Sequence, residues 1–262
     1  MIVNFTILHN ILCTIQCVCV IIYITDTGVY IMNFYTLKWG SKYGPEYVNR
    51  LYGGLKKHYH KPFTLTCYTD NHKGLREEIQ VADIKDLRKF NTDRVFTYEK
   101  LILMEKHESG IWLDLDILIH DDITDMANDP ADYKMIWNHW NEYWQRSLRW
   151  YGKGASCHVN SSFVKFHNPE WLIKFTNDNW EKIEWTYKSL DKYLFYQHAR
   201  NDRLQYWDKG LVENYNVSGR KLPGKVTIFN TSHKYNNKGI ADVLYELHEA
   251  DSRVTKMWKS YD

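Results

Sequence analysis

The sequence predicts an α/β domain with a mostly parallel central sheet flanked by helices, and three observations carry that prediction. From Met32 onward, short β-rich runs alternate with helical stretches, the pattern of βαβ units whose crossovers lay helices on a parallel sheet. The most apolar strand of the chain, IWLDLDILI at 111–119, follows a helical segment and a glycine, Gly110. The chain has 262 residues, 44% of them hydrophobic, 25% charged and only 5 of them proline. That is enough to bury a full core, and it excludes disorder or a collagen-like scaffold.

Each element has its own warrant. NFYTLKW at 33–39 reads as the first strand; a Gly/Ser break follows, and Tyr47, Leu51 and Leu55 recur at helical spacing between Pro45 and Tyr59. FTLTCYTD at 63–70 is a second strand ending in a polar loop with Asn71 and Gly74, and IQVADI at 79–84 suits a short third. The segment 98–107 is helical, and Gly110 separates it from the apolar strand. Further strands are expected at 133–137, 159–166 and 225–230, with helices around 170–181, 190–200 and 240–249. No repeat or Pro/Ser-rich linker interrupts residues 32–262, which are expected to form a single domain.

Composition narrows the function. Lys and Arg total 34 against 32 Asp and Glu, a net charge of +2, too balanced for attraction to a phosphate backbone to be the main activity, so no nucleic-acid partner is expected. Aromatic residues make up 16%, with 11 Trp and 20 Tyr; such rings suit stacking on sugars or bases, and equally an aromatic core. The 5 cysteines are odd in number, and Cys13, Cys17 and Cys19 crowd one apolar stretch. This points to a reducing, cytoplasmic compartment and matches no zinc spacing. Cys67 and Cys157 read as buried small hydrophobes.

Residues 1–31 stand apart. Ile2–Ile24 carries no charge, and the first basic residue of the chain is Lys38. That length would span a bilayer as a helix, yet Asn4, Thr6, His9, Asn10, Thr14 and Gln16 dilute it and no basic region precedes it. Three readings stay open: a membrane anchor, which would make the protein membrane-associated through residues 2–24; an extension upstream of a functional start at Met32; or an added element of the fold. Sequons at Asn4, Asn160, Asn216 and Asn230 would accept glycans in a secretory lumen. Two of them fall in segments that line the active site inferred below, which argues against that location.

The strongest chemical signal is Asp114-Leu115-Asp116 at the end of the apolar strand. In an extended chain side chains alternate, so both aspartates face one side while Leu115 faces the other. Two carboxylates sharing a cleft repel unless a cation lies between them, and a hard divalent ion, Mn²⁺ or Mg²⁺, fits oxygen ligands and also holds a diphosphate. Open parallel sheets bind ligands beyond the carboxyl ends of their strands, which is where this pair is expected. Asp121, Asp122 and Asp125 fit a solvated loop, and an EF-hand frame fails because His120 and Asp121 occupy the positions near its glycine.

Several segments together resemble the metal-dependent GT-A glycosyltransferases, nearest the retaining, family-8-like enzymes that use nucleotide sugars. YTLKWGSKYGPEYVNRLYGGLKKH looks like the first strand, nucleotide loop and first helix of that family, and FTLTCYTDN like its second strand, with Asp70 where the family holds the nucleobase. YEKLILMEKHESGIWLDLDILI is similar to the helix-then-DxD segment, in which a basic residue matching Lys100 approaches the phosphates. HVNSSFVKFHN resembles the strand whose Asn, here Asn160 beside Ser161, meets the donor sugar; SLDKYLFYQHARND resembles the acidic helix start, here Asp191, that faces sugar or acceptor. The resemblance runs from about Asn33 to Tyr235. It implies a GT-A, Rossmann-like domain, a nucleotide-sugar donor (a UDP-sugar), a glycan, protein or lipid acceptor, and a Mn²⁺ or Mg²⁺ cofactor. One departure concerns the metal. The family usually supplies a third ligand from a His-Gly motif near its last strand, whereas this chain reads IFNTSHKYNN, with Asn230 at the matching place and His233 three residues on.

The residues also make physical sense without the family. Glycosyl transfer from a nucleoside diphosphate releases an anionic diphosphate, whose charge a metal at Asp114 and Asp116 together with Lys100 would neutralise. Asp191 and Asn160 are candidates to steady an oxocarbenium-like centre. Ordinary readings stand beside these: Asp191 as a helix N-cap, Asn160 as a turn residue, Trp39 and Tyr43 as core packing rather than a platform for the base. Trp137, Trp140 and Trp144 recur at helical spacing and fit a core stripe, while Asn138, His139, Asn141 and Glu142 between them suit an acceptor surface. Two other functions compete. The DLDIL run also resembles the haloacid-dehalogenase phosphatase loop, but there the motif normally opens the chain; a non-catalytic carbohydrate-binding protein on the same fold is the third reading.

Overall fold

A strand buried at all but one position needs partners on both sides, and Met32–Lys38 (β1) finds them: β2 (Phe63–Thr69) pairs with it in parallel on one side and β4 (Ser109–Leu113) in parallel on the other. The computed structural model describes residues 30–87, 98–139, 157–187, 189–229 and 245–262. The chain divides into two compact units, Met1–Ile31 and Met32–Asp262; of the first, only the exposed Tyr30 and Ile31 are among the described residues. The readings placed on Ile2–Ile24, on Trp140 and Trp144, and on Asn230 and His233 lie outside the described residues. Among those described, no helix is long and apolar enough to cross a membrane.

Beyond β2 the sheet continues to β3 (Gln80–Asp83), and beyond β4 to β7 (Val159–His167), β6 (Tyr133–Trp137) and β8 (Gln205–Tyr206), in the order β3-β2-β1-β4-β7-β6-β8. All these pairings are parallel except those of β7, which runs antiparallel to both neighbours. β4 is therefore the strand at which direction changes. The expected strand at 111–119 is corrected here. It breaks after Leu113, and Ile117–Ile119 (β5) pairs antiparallel with β10 (Val226–Ile228), which pairs in parallel with β9 (Val212–Asn214), forming a second, three-stranded sheet. The chain changes sheets across Asp114-Leu115-Asp116: the Asp114 backbone still bonds to the main sheet and the Asp116 backbone already bonds to the second.

Helices cover both faces. α1 (Pro45–His58) starts with proline in its first turn and closes with Lys56, Lys57 and His58, complementing its dipole; Tyr47, Val48, Leu51 and Leu55 face the core. Its interior Gly53-Gly54 runs against helix propensity by about 1 kcal/mol each. The C-terminal segment explains it: a Cβ on Gly53 would collide with the backbone carbonyl of Tyr261, and one on Gly54 would meet the Tyr261 ring at 3.4 Å. Gly53→Ala is thus expected to destabilise the fold by roughly 1–3 kcal/mol, the usual cost of overpacking, despite its better propensity; a raised denaturation midpoint would contradict this.

On the other face lie α2 (Glu99–Lys106), α4 (Glu170–Asp178), α5 (Trp180–Thr186) and α6 (Leu190–His198), with the short α3 (Thr124–Ala127) following β5. The helix expected at 170–181 is two helices meeting at Asn179. Of the helix expected at 240–249, the described part is a single 3₁₀ turn, Leu247–Glu249, and the helix proper, α7 (Ser252–Lys259), comes after it. Asp251 caps α7 by accepting from the Arg253 and Val254 amides, so an N-cap aspartate was the available sequence signal.

The burial of His198 predicts a stability that falls at acid pH. His198 is 5% exposed and its Nε2 lies 3.0 Å from the Tyr193 hydroxyl; burial lowers its pKa to about 4. In the unfolded chain it titrates near ~6.5, so between those values the unfolded state binds more protons and stability falls as pH falls. The contribution is complete above about 6.5 and lost on the way down to about 4, roughly 2–4 kcal/mol in all. His198→Phe should flatten this part of the stability profile in denaturant titrations from pH 7 to 4; an unchanged slope would refute the assignment.

Candidate active site at the strand switch

The site grows from the end of β4. The Asp114 amide donates to the Ser162 carbonyl of β7 at 2.9 Å, and the Asp116 carbonyl accepts from Phe229, just after β10, at 2.9 Å. Leu115 is buried in the main core cluster, while both aspartates are half-buried. This is the facing predicted from alternation, although the backbone that produces it is a bend and not a continuous strand.

The two carboxylates are held differently. Asp114 Oδ1 pairs with Lys100 Nζ of α2 at 2.8 Å and accepts from the indole Nε1 of Trp112 at 2.6 Å. Asp116 receives no side-chain hydrogen bond from the described residues, and its pKa is pushed well above the usual carboxylate range, by burial first and then by the charge of Asp114; Lys42 and Lys100 oppose the shift only in part. The pair therefore carries negative charge that Lys42 and Lys100, the cations acting on Asp116 among the described residues, do not fully balance. An oxygen donor set with this surplus fits a hard divalent cation. Among the described residues, no third His, Cys, Asp or Glu joins the pair to complete a metal-binding group.

Lys100 is 5% exposed, and its ammonium also donates to the Ser161 carbonyl at 2.8 Å and the Ser161 hydroxyl at 3.0 Å. An ammonium has three donors, and here each has an acceptor. The Ser161 amide in turn donates to Asp191 Oδ1 at 3.1 Å. A chain of contacts thus runs from Asp114 through Lys100 and Ser161 to Asp191. Asp191 is not the N-cap of α6: Ser189 is, accepting from the Lys192 amide, and Asp191 stands inside the first turn. Burial raises its pKa, with Lys100 as the largest opposing influence. Asn160, on β7, is nearly buried, and its carbonyl oxygen accepts from the Ser162 amide at 2.8 Å, so its NH₂ is the group left to offer.

The loop after β1 brings the other predicted residues. Tyr43 is half-buried, tilted against Tyr47 with ring centroids 4.7 Å apart; burial raises its pKa, followed by the charges of Asp116 and Glu246. Trp39 is 41% exposed at the end of β1. Asp70 Oδ2 accepts from the Gly40 amide at 2.9 Å, tying the β1 and β2 loops together. Beside it, a cleft of about 310 Å³ opens at the ends of β2 and β3, lined by Thr69, Asp70, His72, Ala82, Asp83 and Lys85 among others.

Sequence reasoning missed four residues here. Trp112 lies on β4 two positions before Asp114, which directly follows the strand, so the period-2 rule could have found it. Lys42 lies on the loop itself, 3.9 Å from Glu246, while Glu246 and His248, on the segment before α7, reach the loop from more than two hundred residues away, and no local signal marks them. Tyr47 OH lies 2.7 Å from His248 Nδ1 and fastens that segment down.

A central sheet with one reversed strand, whose middle strand ends in an acidic bend between two sheets, is the GT-A fold of glycosyltransferases. The galactosyltransferase LgtC in complex with donor and acceptor sugar analogs shares it, with TM-score 0.56 and 12% identity over 87% of this chain and 96% of that one. So do GlyE of Streptococcus pneumoniae TIGR4 (TM-score 0.52, 12% identity, 88% of this chain and 60% of that one) and mouse xyloside xylosyltransferase 1 (0.50, 10%, 77% and 98%). No family model matches the sequence, and neither does any curated protein in the sequence search. At such identities the likeness establishes the fold alone.

Proposed function

We propose that residues 32–262 form a glycosyltransferase that moves a sugar from a nucleotide-sugar donor, a UDP-sugar, to a glycan, protein or lipid acceptor, with retention at the transferred carbon. The observation that carries this reading is the Asp114/Asp116 pair at the strand switch, linked through Lys100 and Ser161 to Asp191. One end of that chain suits a diphosphate and the other a sugar. The solved relative with donor and acceptor analogs supports the general assignment.

Asp114 and Asp116 would hold Mn²⁺ or Mg²⁺, and Asn230 or His233 remains the candidate for a further ligand. Such an ion supplies Lewis-acid stabilisation of the leaving diphosphate. The protein's own residues do the rest. Lys100 compensates the Asp114 charge and holds Ser161, whose amide fixes Asp191. Asp191 then presents a carboxylate to the developing positive charge on the sugar, and the Asn160 NH₂ serves as a donor to a sugar hydroxyl. Retention requires the acceptor hydroxyl to enter on the face the diphosphate leaves, so Asp191 acts beside the departing group. Trp39, Tyr43 and Asp70 flank the site where the base would lie.

A phosphohydrolase of the haloacid-dehalogenase kind is disfavoured because β1, β2 and β3 precede the acidic bend. A donor screen that follows nucleoside diphosphate release, with and without Mn²⁺, tests the proposal. Metal-stimulated release from a UDP-sugar, with the product anomer matching the donor by NMR, is the expected result. Hydrolysis of phosphomonoesters in its place would overturn it, as would sugar binding without turnover.

A further inference from the structure

We propose that Trp112 is a positioning residue that leaves a single oxygen of Asp114 for the cation and so biases the site toward small octahedral ions; this rests on the reading of Asp114 as a cation ligand. Side chains two residues apart on a strand share a face, which puts the indole of Trp112 beside the carboxylate. The ring is 2% exposed and belongs to the core cluster that includes Leu37, Leu101, Met135 and Val164, so it has no room to turn. Its N–H can only donate, and it points at Asp114 Oδ1 across 2.6 Å. Lys100 reaches the same oxygen at 2.8 Å, its ammonium 5.2 Å from the centroid of the Trp112 ring.

Oδ1 is thus occupied by two donors that are themselves buried, whereas no hydrogen bond reaches Oδ2 among the described residues. A carboxylate fixed this way binds a cation through one oxygen. Mg²⁺ and Mn²⁺ accept single-oxygen carboxylates in an octahedral shell, while Ca²⁺ takes more ligands and often both oxygens of one carboxylate. Trp112 and Lys100 together therefore act against Ca²⁺ without touching the ion.

Trp112→Phe keeps a ring and removes the N–H. Manganese binding to the full chain in the presence of UDP, followed by the EPR signal of free Mn²⁺ and by competition with Ca²⁺, is expected to weaken about 10-fold, a usual size for loss of a ligand's supporting hydrogen bond, and the preference for Mn²⁺ over Ca²⁺ should shrink with it. A folded Trp112→Phe protein with unchanged Mn²⁺ affinity and unchanged preference would overturn the inference. Asp114→Asn separates this from failure of the underlying reading: if that variant binds Mn²⁺ as the wild type does, Asp114 is no ligand at all. Should Trp112→Phe not fold, ¹⁵N–¹H spectra of the wild type decide the matter. One tryptophan indole signal should lie downfield and exchange slowly, and should shift in Asp114→Asn; if no indole signal responds to that substitution, the hydrogen bond and the inference fall together.

Discussion

Replacing Asp116 by asparagine is expected to lower metal-dependent turnover by roughly 10³-fold or more, because the carboxylate supplies charge at the place where the diphosphate departs and several kcal/mol of transition-state stabilisation depend on it. The protein should stay folded. Asp116 takes no side-chain hydrogen bond from the described residues, and burial and the charge of Asp114 both disfavour its ionised form, so a neutral amide of the same size relieves repulsion, and thermal stability should equal or exceed that of the wild type. Asp114→Asn should abolish turnover similarly but with lower stability, since Lys100 loses its charged partner. Nucleoside diphosphate release across a Mn²⁺ titration, beside thermal melts, measures both effects. Near wild-type release in either variant would sink the assignment of the pair.

The second large effect is expected at Lys100. Its side chain is 7% exposed against 28% for Asp114, and removing one partner of a buried ion pair costs about 3–5 kcal/mol because the other charge is left uncompensated. Lys100→Met should lose stability in that range, and activity as well, since Ser161 loses two hydrogen bonds and with them its grip on Asp191. The double variant Lys100→Met/Asp114→Asn removes both charges. It should recover part of the lost stability, because replacing both partners costs less than breaking the pair, and none of the activity. If the two substitutions are additive in denaturant unfolding, Lys100 and Asp114 are not coupled, and the chain from the acidic bend to Asp191 does not exist as described.

Much of this architecture was legible in the residues. Alternating β-rich and helical runs placed β1, β2, β6 and β7 and the helix from Pro45 to within a residue or two, because hydrophobic period is a local property of the chain. The expectation that Asp114 and Asp116 lie on one side of Leu115 was equally local, although a bend and not the extended backbone it assumed lies behind it.

Tertiary structure decided what lay beyond local periodicity. Nothing in IWLDLDILI shows that its second half leaves the main sheet, because Ile117–Ile119 is as apolar as Ile111–Leu113 and the reason for the break is a partner strand, Val226–Ile228, more than a hundred residues on. Asp191 as a helix cap and Asp191 as a site residue were both open on sequence; Ser161, 30 residues earlier, settled where its carboxylate is held by donating an amide to it. Lys100 shows the same division. Its place two residues into a helix was readable, yet its three acceptors, on β7 and at the acidic bend, come from chain segments that only folding brings together. Hydrophobic patterning along a chain sets which elements form, but long-range strand pairing and the need of each buried charge for a partner choose where they end and what their side chains face.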